Sequence, residues 1–78
     1  MSAAIEIDRN EKLAEVAYAA MYEARPTAAK DCYDDARSHF AKAIDLAKRA
    51  GLDAEVARLT ARLDHIVSVY NSQFRGIG

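Results

Sequence analysis

Breakers are so rare in this chain, and so placed, that they dictate its architecture. Proline occurs only at Pro26 and glycine only at Gly51, Gly76 and Gly78, while alanine, leucine, lysine, arginine and glutamate fill the stretches between them. Such segments have nowhere to stop being helical except at the breakers themselves. The expectation is an all-α protein of three antiparallel helices, at about residues 10–24, 28–50 and 53–73, running up-down-up. Connections this short leave consecutive helices as neighbours.

Local chemistry sharpens each boundary. Asp8 to Asn10 can cap the first helix, whose stripe then reads Leu13, Val16, Ala17, Ala20, Met21 and Ala24. Arg25 precedes proline and is pushed out of the helical region. Pro26 suits the first turn of the next helix because its missing N–H would have no partner there. The second helix carries Ala29, Cys32, Tyr33, Ala36, Phe40, Ala43, Ile44 and Ala47 at intervals of three and four, the signature of one buried face. Lys48 and Arg49 place cations at its carbonyl end, and Gly51 supplies a left-handed stop. Asp53 then reads as the cap of a third helix with stripe Val56, Leu59, Leu63, Ile66 and Tyr70, widened by Val67, Val69 and Phe74. The whole chain, 1–78, reads as one domain, with residues 1–8 and 75–78 expected to be flexible.

A chain of 78 residues hides only roughly 60% of its unfolded surface, and a core of that size supplies about 3 to 5 kcal/mol. The single Cys32 excludes an intramolecular disulfide. Self-association as a homodimer is therefore the expected source of further stability. Lys plus Arg number 11 against 12 Asp plus Glu, so no net field draws the protein to nucleic acid or anionic lipid. No stretch approaches the length of a membrane span, and the opening MSAAIEIDRNEK lacks the apolar run of a signal peptide. A cytoplasmic location is expected.

Ala36, Phe40, Ala43 and Ile44 stand at the spacing of the second helix of a tetratricopeptide repeat, where small residues let two helix backbones approach and a ring fills the notch between them. Residues 12–76 resemble that family, and AKAIDLAKRAGLDAEVARL followed by VYNSQFRG is similar to its kinesin light chain type. The resemblance implies a non-enzymatic protein–protein interaction module, with a peptide or protein as partner. It departs from the family in the first helix, which has Tyr18 and Tyr22 but neither the tryptophan nor the glycine of the repeat. The third helix would also lack its covering helix, exposing Val67, Val69 and Phe74. With Tyr18 and Tyr22, these five residues form the candidate interaction surface.

LAKRAGLDAEVARL also resembles the helix-turn-helix of bacterial repressors, with Ala47 and Gly51 matching and the turn at Gly51. The resemblance implies DNA binding, served by Lys42, Lys48, Arg49, Arg58 and Arg62. Ala57 stands where that motif has a branched residue, and the pair Val56 and Leu59 is out of register by one, a rotation of about 100°. Nucleic acid is accordingly not the expected partner.

Asp31, Asp35 and His39 line one edge of the second helix, yet the arrangement lacks the Glu-x-x-His motifs of helical metal sites. Acidic residues near a helix start answer the dipole. Asp64 and His65 point to different sides. Cys32 lies on the buried stripe with no CxxC or basic neighbour to activate it. Phosphate-binding glycine loops and serine elbows are absent. No catalytic residue, cofactor or metal is expected.

Overall fold

The computed structural model describes residues 3–74 as three helices: α1 Ala3–Glu23, α2 Pro26–Arg49 and α3 Asp53–Gln73. The bundle measures 40 × 20 × 13 Å. Both turns follow local chemistry. Arg25 is extended at φ −64°, ψ 153°, as the residue before proline must be, and its carbonyl accepts from the amides of Ala28 and Ala29 at 2.8 and 2.9 Å. At the second turn Gly51 takes φ +70°. The Leu52 amide donates to the Ala47 carbonyl at 2.9 Å and the Gly51 amide to the Lys48 carbonyl at 3.1 Å. This pair is a Schellman motif, and it satisfies two carbonyls that the helix end would otherwise leave orphaned.

Two boundaries differ from the capping expectation. Helix α1 begins at Ala3 rather than near residue 10, because Ile7 is 3% exposed and its burial is worth about 1.5 to 3 kcal/mol, more than a cap. Residues 3–8, expected to be flexible, are helical; the expectations for residues 1–2 and 75–78 lie outside the described residues. Asp8 pairs with Lys12 at 3.0 Å, and buried Asn10 donates its amide to the Glu6 carbonyl at 2.9 Å. Neither caps anything. The residue before α3 is Leu52, without a side-chain cap, so Asp53 acts from inside the first turn, where it and Glu55 face the positive end of the dipole.

The α1–α2 hairpin is the tight half of the molecule. In α2, Ala29, Ala36 and Ala43 recur every seven residues, interleaved with Tyr33, Phe40 and Ala47, and all six are buried. The other half of the seam is Ile7, Ala14 and Met21, again seven apart. Alanine on both sides lets the two backbones approach closely along their length, and Phe40 is the largest fully buried side chain of the core. Helix α3 adds Leu59 and Ile66, fully buried, with Val56, Leu63, Val67, Tyr70 and Phe74 packed around them. The stripes expected for α2 and α3 stand.

The stripe expected for α1 holds at Met21 and is corrected at Leu13 and Val16. Leu13 is 46% and Val16 67% exposed, while Ala14 is buried. Starting the helix at Ala3 brings Ile7 into the pattern, and the Ile7–Ala14–Met21 repeat turns Leu13 and Val16 outward. The narrow approach to α2 also favours alanine over leucine at the contact.

Candidate functional site

Helix α3 reaches α1 through long side chains rather than backbone proximity. Arg58 donates to both carboxylate oxygens of Glu11 at 2.6 and 2.8 Å, and Arg62 does the same to Glu15 at 2.7 and 2.8 Å. Each pair spans 47 residues, the constant offset of two helices running in the same direction. Arg58 also donates to Glu55 at 2.6 Å, and Arg62 lies over the Tyr18 ring at 5.2 Å. The Arg58 guanidinium beside Glu11 holds that carboxyl below its ordinary value, against a smaller opposing effect of burial. Both guanidiniums are raised by the same hydrogen bonds.

Of the five residues expected on an interaction surface, four are half-buried. Tyr18 packs against the core and shares a 2.9 Å hydroxyl hydrogen bond with Tyr22. Burial first, and then that bond, push the Tyr18 phenol up to about 12. Tyr22 is 51% exposed and meets Phe74 edge-on at 5.4 Å. Phe74 stacks on Tyr70, whose ring lies parallel to Tyr33 at 3.8 Å. Val67 also packs against the core, and Val69 is half-buried. The expectation that α3 leaves Val67 and Phe74 uncovered is corrected: both are partly buried against the core, and Phe74 meets Tyr22 at the end of α1 while Tyr70 stacks on Tyr33 at the start of α2.

The open apolar surface lies on α1 instead. Ile5, Leu13 and Val16 stand exposed beside Asp8, Arg9 and Lys12 around a shallow depression of about 360 Å³. All six residues belong to one helix, so the depression is relief between side chains and not a cleft that encloses a small molecule. Exposed Ala19, half-buried Ala20 and exposed Glu23 continue this face toward the helix end. Composition conceals it, because α1 has apolar residues on two sides. The heptad through Ile7, Ala14 and Met21 is the signal that separates them.

A second, smaller hollow of about 180 Å³ lies where the start of α1 meets the Leu52 turn, bordered by Glu11, Glu55 and Arg58. Its charged groups already satisfy one another. Asp31 and Asp35 are exposed and His39 is half-buried along one edge of α2; Asp64 and His65 are both exposed. Among the described residues no group of three or more His, Cys, Asp or Glu side chains is placed to hold a metal ion. Cys32 is half-buried beside the core. Among the described residues no helix is long and apolar enough to cross a membrane.

Among the described residues, fold and surface together define an all-α three-helix bundle with an uncovered apolar face on α1. Comparison with protein-family models, curated proteins and solved structures gave no match.

Proposed function

We propose that this chain is a non-enzymatic protein–protein interaction module whose working surface is the outer face of α1. The observation that carries this reading is the exposure of Ile5, Leu13 and Val16 on one side of a helix that buries Ile7, Ala14 and Met21 on another. Scattered exposed apolar residues are ordinary, but three on one helix face form a continuous strip suited to another helix. The charged groups support the same reading. Arg49, Arg58 and Arg62, three of the cations that a DNA reader would use, are each held by a carboxylate, at 3.0, 2.6 and 2.7 Å. A phosphate would have to displace those partners.

The test is a photocrosslinking amino acid placed at Val16, with the same probe at exposed Asp64 on α3 as control. Protein adducts should form from position 16 in cells that make the protein and not from position 64. Equal yields at the two positions, or none at 16, refute the proposal.

A further inference from the structure

The reading of the α1 face as a contact surface leaves its occupant open, and the pattern of charges along the face narrows that choice. Arg9 and Glu23 are fourteen residues apart, with Val16 midway. In an ideal helix that separation is about 21 Å and returns to the same side within roughly 40°. Val16, at 67%, is the most exposed large apolar side chain among the described residues. Leu13 lies three residues before it and Ala19 three after. Read outward from Val16, the face is apolar at its centre, carries Arg9 and a Lys12 paired with Asp8 at 3.0 Å toward the helix start, and ends in Glu23.

We infer that a second copy of this chain packs its α1 antiparallel on this face, about a two-fold axis passing at Val16. Under that symmetry Arg9 meets the second copy's Glu23, and the same pair forms again on the other side of the axis. Leu13 comes against the second copy's Ala19, and the small alanines at 19 and 20 let the two helices close. An interface between identical copies about a two-fold must complement itself, and this arrangement of charge does so. A parallel pairing does not: it sets Arg9 against Arg9 and Lys12 against Lys12, a repulsion between like charges. An unrelated partner would require no such symmetry. Arg9 is available for the contact, since among the described residues its side chain approaches only Glu6, at 3.3 Å, and is 62% exposed.

Sedimentation velocity over a concentration series tests this, using the full chain, Val16→Lys, Arg9→Glu, Glu23→Arg and the double reversal Arg9→Glu/Glu23→Arg. An interface of one helix face is small, so the full chain should dimerise with a Kd of about 10 to 100 µM. Val16→Lys places two cations at the axis and should weaken the dimer by at least about tenfold with an unchanged melting temperature at low concentration. Each single reversal should weaken it by roughly three- to tenfold, and the double reversal should restore it. A full chain that stays monomeric throughout overturns the inference, as does a dimer indifferent to Val16→Lys. Single reversals without effect, or a double reversal no better than either, overturn the antiparallel register. This inference rests on the proposed role of the α1 face, yet the two fail separately: Val16 photoadducts whose mass is not twice that of the chain preserve the surface and remove the second copy.

Discussion

Arg58 of α3 holds both carboxylate oxygens of Glu11 of α1 through Nη1 and Nη2, one turn below the place where Arg62 holds both oxygens of Glu15 through Nε and Nη2. These forks tie together the two helices whose backbones are the farther apart in the bundle. They fix the rotation and height of α3 where hydrophobic packing alone would tolerate sliding. Forked pairs are the strongest form of surface ion pair, because planar guanidinium and carboxylate match in two bonds at once.

A double-mutant cycle on Arg62 and Glu15 should therefore return a coupling of about 0.5 to 1 kcal/mol, the upper part of the range for partly exposed pairs. Urea denaturation of Arg62→Met, Glu15→Gln and the double variant measures it, and molar salt should shrink it. A coupling near zero would mean that α3 is positioned by its apolar stripe alone.

Acid should weaken the fold through Glu11. Its folded-state pKa lies below the ordinary 4.5, chiefly because Arg58 hydrogen-bonds the charged form. The unfolded state thus binds the proton more readily, and the stabilisation is fully present above pH 4.5 and lost as pH falls through the lowered value. Urea midpoints measured between neutral pH and the acid limit should fall less for Glu11→Gln than for the parent chain.

Alkali should weaken it through Tyr18. Here the folded-state pKa is raised from 10 to about 12, so the neutral phenol is the form the fold prefers. Its contribution is complete below pH 10 and disappears as pH rises through about 12. Tyr18→Phe should flatten the stability profile in that window, as followed by helical circular dichroism, while retaining the ring under Arg62. An unchanged profile would place the alkaline transition elsewhere.

Gly51→Ala should destabilise the protein by about 1 to 2 kcal/mol, because an L residue resists the left-handed region and the Schellman turn requires it. Space is not the obstacle: a methyl group built at Gly51 meets nothing within 4 Å. Gly51→Asn, whose side chain tolerates that conformation, should recover part of the loss in thermal melting.

Core substitutions should separate the two faces of α1. Phe40→Ala removes the largest fully buried side chain and should cost about 3 to 5 kcal/mol, enough to unfold a domain of this size. Ala43→Leu should cost about 1 to 3 kcal/mol by forcing α1 away from α2. Val16→Ser should stay within about 0.5 kcal/mol, since the residue is 67% exposed and outside the core. Chemical denaturation of the three variants gives the ranking.

Much of this architecture is legible residue by residue. Pro26 and Gly51 punctuate the chain through effects that act within a few residues: a ring that blocks the helical region before it and a backbone that accepts a positive φ. The stripe of α2 is equally plain, because Ala29, Tyr33, Ala36, Phe40, Ala43 and Ala47 leave no competing face. Helix α1 is ambiguous by contrast, with Ile5, Leu13 and Val16 on one side and Ile7, Ala14 and Met21 on another. Either could have been the core.

By itself, then, the sequence determined the three rods, their order, their turns and the buried sides of α2 and α3, since propensity, punctuation and periodicity are properties of neighbours along the chain. Only the tertiary structure decided which side of α1 turns inward, that Tyr22 of α1 would meet Phe74 and Tyr33 of α2 would stack on Tyr70, and that Arg58 and Arg62 would find Glu11 and Glu15 across 47 residues. Those outcomes depend on how near two helices can come. Alanine set that distance between α1 and α2, and the long arginines spanned the wider gap to α3.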